Sequence, residues 1–437
     1  MIDPRRAIVR MEEAIADVDS RHAPLEHATL AYRLGMAHAE APDGDPVANA
    51  RTALRWYGLA LEGFDRSYEP VAHARVLNGA GAACRALGET ARAVELFEDA
   101  AALLAERAKP DEQGAVHNNL GLARLELGDV RRSVESFERA LGCFDADSDE
   151  GRRGRAATLV NLGMAQAAEG GIDALRDAIA SYARAIGEAG EDAPYHRALA
   201  AHGAGVAHLA LVAAGDERSD HLRRAVEAFE ESLRFFTRTG FPYQHSVALH
   251  NLGRARLAAG GHRDAQLAMV AVEECMGVLD PRLHEHEWRR AHATLQEIEA
   301  VLGETRPGRS RRQHFVDLFV DSEPDEREEL LRPRLARMLA LPSDARHTAL
   351  RELATASVTA DDRGLGHVVA ELSVLMELPN EHLEVVLLAR LDAYRRLPEG
   401  LAVDASRALD QAVGDALNGP QRVLVRDFLA AQGFERP

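Results

Sequence analysis

Three histidines, His284, His286 and His292, lie with Glu285 and Glu287 in the densest group of metal-ligand side chains in this 437-residue chain. Imidazole and carboxylate are the usual ligands of zinc and related ions, so metal chemistry is the first possibility to weigh. The spacing argues against it. Residues two apart on a helix point about 200° from one another, and no His-Glu-x-x-His pair puts two imidazoles on one face. A solvated polar face accounts for the group, and neither a metal nor another cofactor is expected. Lys109 is the only lysine, so a phosphate-loop, Schiff-base or kinase-type lysine would have to be this one. Its surroundings, AERAKPDEQG, match none of those motifs. Gly79-Ala80-Gly81 and Gly203-Ala204-Gly205 resemble pieces of a dinucleotide fingerprint, but no strand precedes either. The acidic run EPDEREE at 323–329 reads as a helix start. Cys84, Cys143 and Cys275 are widely spaced, which suits small hydrophobes in a reducing cytosol. No catalytic residue and no enzyme activity are expected.

The elements that must carry these residues are set by a repeat. A Leu-Gly or Ala-Gly step recurs at Gly35, Gly81, Gly121, Gly163, Gly205 and Gly253, at intervals of 40 to 48 residues. Each step is followed by a small-large-small pattern at i, i+4 and i+7. Ala53-Tyr57-Ala60 and Ala93-Phe97-Ala100 come first, then Ser133-Phe137-Ala140 and Ala178-Tyr182-Ala185; Ala225-Phe229-Ser232 and Ala265-Met269-Val272 complete the set. Such spacing predicts one helical hairpin per repeat, with the second helix burying one ring between two small residues. The glycine is expected where the neighbouring backbone crosses closely. Turns at LGET 87–90, LGDV 127–130, EGGI 169–172 and AGGH 259–262 would separate the helices. One hairpin cannot cover its own apolar face, so the units must stack into a solenoid.

Leu120-Gly121, Gly128, Phe137 and Ala140 match the tetratricopeptide repeat (TPR) signature, as do Leu252-Gly253, Gly260 and Ala265. On these residues the chain resembles that family over roughly 24–302. The period near 42 and the Asn-Leu-Gly step resemble the longer subtype of kinesin light chain and of bacterial regulators. The resemblance implies a right-handed solenoid whose first helices line a concave groove that holds a peptide or helix of another protein. It also implies that Asn119, Asn161 and Asn251, two places before the glycine, face that groove. An amide both donates and accepts, so it can hold an extended main chain without reading its sequence. Asn118, Leu122, Met164, His250 and Arg254 would then supply selectivity. The same asparagines could instead bridge adjacent helices inside the stack, and the sequence leaves both readings open. Gly79, Gly203 and Arg33 at this register make any row uneven.

Helix α-type patterning continues to the end of the chain, with no period-two run, so the fold class is all-α throughout. We expect an N-terminal cap over 1–23, six hairpins and a capping helix over 24–302, a Gly/Pro/Arg-rich linker at 303–311 and a helical bundle over 312–437. The last helix before the linker could equally open an imperfect seventh repeat. Net charge is −18, from 52 basic and 70 acidic residues. That disfavours nucleic acid and anionic membrane as partners. With no long apolar run, a cytoplasmic protein is expected. A scaffold or adaptor is the leading expectation; a ligand- or peptide-responsive regulator with the helical bundle as its output, or a dedicated assembly chaperone for a partner enzyme, are the alternatives. A homodimer through an open end of the stack is compatible with the sequence but not required by it.

Overall fold

The computed structural model describes residues 4–41, 44–105, 110–190, 193–216, 220–359 and 364–434; Lys109 lies outside them. Among these residues the chain is helical throughout and has no strand. It forms two compact units, Met1–Thr237 and Arg238–Pro437. The division falls between the fifth and sixth hairpins, and the segment 303–311 lies within the second unit.

In the first unit α1 (Pro4–Ala16) packs on the first of five hairpins: α2 (Pro24–Ala39) with α3 (Pro46–Gly63), α4 (Pro70–Ala86) with α5 (Thr90–Leu104), α6 (Pro110–Glu126) with α7 (Val130–Cys143), α8 (Asp149–Glu169) with α9 (Ile172–Ala189), and α10 (Pro194–Ala213) with α11 (His221–Phe235). Four of the five first helices open with proline, whose missing N–H lacks an intrahelical partner there anyway. Gly88 (φ 77°) and Gly128 (φ 79°) close two of them in the left-handed region, which returns the N–H of Glu89 and Asp129 to the carbonyls of Cys84 and Arg124. After α3 and α7, Asp65 and Asp145 turn the chain by accepting from backbone N–H groups two residues on.

The rings of Tyr57, Phe97, Phe137, Tyr182 and Phe229 are buried in the hairpin cores, as the spacing predicts. Each lies over the glycine of its own first helix. A Cβ on Gly35, Gly81, Gly121, Gly163 or Gly205 would sit 2.5 to 2.7 Å from a ring carbon. The expectation of a close backbone crossing is therefore corrected: the glycine receives a side chain from within the hairpin. Where serine replaces alanine beside a ring, its hydroxyl is satisfied locally, Ser133 Oγ donating to the Gly121 carbonyl at 2.8 Å.

The second unit begins with the sixth hairpin, α12 (Pro242–Ala259) and α13 (His262–Val278), followed by α14 (Glu285–Thr305). Helix α14 packs on α12 and α13 as each first helix packs on the hairpin before it. Thr294-Leu295 stands at the register of Asn251-Leu252, and Thr294 Oγ1 lies 3.0 Å from His250 Nε2. Then come α15 (Arg311–Asp321), α16 (Pro324–Leu339), α17 (Ser343–Thr359), α18 (Gly364–Leu375), α19 (Asn380–Arg395), α20 (Glu399–Ala416) and α21 (Gly419–Ala431). Packing here alternates: α15 meets α17 and α17 meets α19, while α16 meets α18 and α18 meets α20. In its core Arg390, buried, is held by the Glu371 carboxylate and donates to Tyr394 Oη at 2.9 Å. The Gly/Pro/Arg-rich stretch read as a linker carries ion pairs to the helices on either side. Arg306 and Arg309 both pair with Asp317, at 2.7 and 3.2 Å, and Arg311 pairs with Glu299 at 2.8 Å. Ser322 closes α15 through a bond to the Leu318 carbonyl.

Candidate functional site

In the first unit the first helices of neighbouring hairpins pack on one another, whereas the second helices chiefly meet the first helices on either side. In a curved stack the layer whose members approach one another is the inner one. The first-helix layer, α2, α4, α6, α8 and α10, is therefore the candidate binding face.

Asn118, Asn119 and Leu122 lie on α6, and Asn161 and Met164 on α8, all in the first unit; His250, Asn251 and Arg254 lie on α12 in the second. The asparagines run between helices. Asn119 Nδ2 donates to Asn78 Oδ1 on α4 at 3.0 Å, and Asn161 Nδ2 donates to Asn118 Oδ1 at 2.9 Å. The bridging reading is thus realised for both, while the half-buried amides still border the layer's surface. Asn251 is half-buried. His250 is buried and bonded to Thr294, and burial, with Arg290 and Arg254 nearby, pushes its pKa down to about 4. Arg254 is exposed. A cavity of about 140 Å³ beside them is lined by Tyr243, Ser246, His250, Asn251 and Arg290.

At this register asparagine or glycine goes with the type of ring on the preceding hairpin. Gly79 follows Tyr57, and a Cβ there would be 2.7 Å from Tyr57 Cζ and 2.9 Å from its hydroxyl oxygen. Gly203 meets Tyr182 in the same way. Where the preceding ring is Phe97 or Phe137, with no hydroxyl to reach the next first helix, the residue is Asn119 or Asn161. Phe229 and Asn251 keep the same pairing of residue types in sequence.

The residue after the repeat glycine points outward. Met36, Met164 and Val206 are 37%, 47% and 41% exposed, Ala82 is exposed and Leu122 half-buried. Residues 113–123 of α6, 156–168 of α8 and 198–213 of α10 include no Asp, Glu, Lys or Arg, in a chain that is 28% charged. Charges outside these stretches pair off sideways: Arg75 with Glu112 at 2.6 Å, Arg155 with Glu188 at 2.8 Å and Arg197 with Glu231 at 2.8 Å. The histidines within them are held neutral. Burial lowers His117, helped by Arg139 and Arg124, and pushes His202 to about 4. Burial and then His221 push His208 to about 4. The face offers apolar contact and amide hydrogen bonds.

Sequence reasoning missed Asn78, Val206 and Thr294. Each stands at the register of Asn118, Met164 or Asn251: aligning the repeats on their glycines finds Asn78 and Val206, whereas Thr294 lies in a helix with Gln296 at the glycine position and is marked only by its Leu295. Elsewhere, two of the three histidines at 284–292 make ring contacts, Trp288 stacking on His292 at 5.2 Å and His284 lying 5.7 Å from Tyr243. Among the described residues no three His, Cys, Asp or Glu side chains gather as a metal-ligand set, and no helix is long and apolar enough to cross a membrane.

No protein-family model matches the chain, and no curated protein matches its sequence. Among solved structures it is similar to the Rap conjugation gene regulator of the plasmid pLS20, determined in complex with the Phr* peptide. That match has 14% identity and a TM-score of 0.39, and covers 90% of this chain and 96% of the other. It is also similar to the TPR domain of P58(IPK), at 14% identity and a TM-score of 0.26, over 94% and 99% of the two chains. The fold is an all-α array of TPR-like hairpins, as the ring-over-glycine packing shows directly.

Proposed function

We propose that this protein is a non-enzymatic binding protein that holds a segment of another protein on its first-helix layer. The observation that supports this is the layer's composition. Exposed apolar side chains stand along it where a merely solvated face would carry charge. Rigid stacked hairpins present such a face without chemistry, and the amide edges of α6 and α8 can satisfy a bound main chain. The long repeat period and the Asn-Leu-Gly step fit this role. Affinity purification from the native cell, with wild type beside an Asn119→Ala/Asn161→Ala/Asn251→Ala variant and a Met164→Glu/Val206→Glu variant, tests it. A partner retained by wild type and lost from the Met164/Val206 variant, with helical content unchanged, is the expected result. A partner set identical in all three proteins would remove the first-helix layer from consideration. Retention by the asparagine variant alone would mean that the amides serve only the stack.

A further inference from the structure

Resting on that reading, we infer that the segment bound over α6, α8 and α10 is extended, apolar and free of charged side chains. Three observations carry the inference together. The helices are devoid of Asp, Glu, Lys and Arg across their central stretches, so a charged side chain laid on them would lose water and meet no counter-charge. The residues that stand proud, Met164 and Val206, gain by being covered with apolar surface, and methionine adapts to irregular partners. Asn118, Asn119 and Asn161 border the apolar strip with amides, the groups an extended backbone needs and a helix, whose main chain is already paired, does not. Arg254 takes the Met164 register in the second unit, so the preference belongs to the first unit alone.

The full-length chain, immobilised and panned against a random peptide display library, tests this without knowledge of the natural partner. Enriched peptides should lack Asp, Glu, Lys and Arg over their apolar core. A synthetic copy of the best should lose affinity by about tenfold or more on Met164→Glu or Val206→Glu, because each places an uncompensated charge beneath it. Leu59→Glu, on the exposed side of α3, should leave it unchanged. Enriched peptides bearing charge in the bound core would overturn the inference and leave the binding reading standing. So would uncharged peptides indifferent to both glutamates. Failure to enrich any peptide would count against both.

Discussion

The hydroxyl of Tyr57 reaches into the next repeat, and the residue it meets there, Gly79, has no side chain to oppose it. The tyrosine–glycine and phenylalanine–asparagine pairings make this a steric exchange that can be tested by swapping partners. Phe97→Tyr should destabilise the protein by about 1–3 kcal/mol, since the new oxygen runs into Asn119 in a packed site. Adding Asn119→Gly should recover much of that loss, and a double-mutant cycle in urea measures the coupling. Additive effects would disprove the pairing. Gly121→Ala should also destabilise, because its Cβ would stand 2.5 Å from the Phe137 ring. The glycines were legible in the sequence because six copies share one register. The reason for them was not, since periodicity reports where a close approach occurs and not which group makes it. Asn119 and Asn161 were ambiguous for a related reason: an amide serves a ligand or a neighbouring helix equally well, and only the positions of Asn78 and Asn118 show the second use.

Between α10 and α11, buried His208 and His221 share a hydrogen bond, Nδ1 to Nδ1 at 3.0 Å, and His221 Nε2 lies 3.2 Å from Asp216 Oδ2. Burial pushes His208, together with His202 on α10 and His250 on α12, from 6.5 to about 4. Their folded pKa values lie below those of the unfolded chain, so as pH falls the unfolded chain takes up protons first. The stability they contribute is full above pH 6.5 and lost progressively between 6.5 and 4. Thermal melts should show a falling midpoint through that window, and His208→Gln should make the fall shallower; a midpoint flat from pH 7 to 4.5 would contradict this. In the second unit, Arg390→Met should cost about 3–5 kcal/mol by leaving Glu371 buried without its partner. Pairing it with Glu371→Leu should restore most of the loss in a chemical melt. The alternating C-terminal packing was illegible in sequence, because no repeated motif puts the helices that meet in a shared register.

Across the molecule, charge and apolar surface are sorted. A chain of net charge −18 keeps 113–123, 156–168 and 198–213 free of charge and pairs its flanking arginines with carboxylates on neighbouring helices. The hairpin array was plain in the sequence because its periodicity is long-range and redundant. The division at 237/238 was not, since the sixth hairpin keeps the repeat pattern while its α13 carries Glu273, which pairs with Arg311 and Arg334 of the helices that follow. On the proposed function, the first-helix face of the first unit is where a partner binds. Site-specific photo-crosslinking in the native cell tests it most directly, with a crosslinking residue placed at Met164, at Val206 or at Leu59. One discrete adduct shared by positions 164 and 206 and absent at 59 is the expected result. An adduct at 59 with none at 164 or 206 would contradict it.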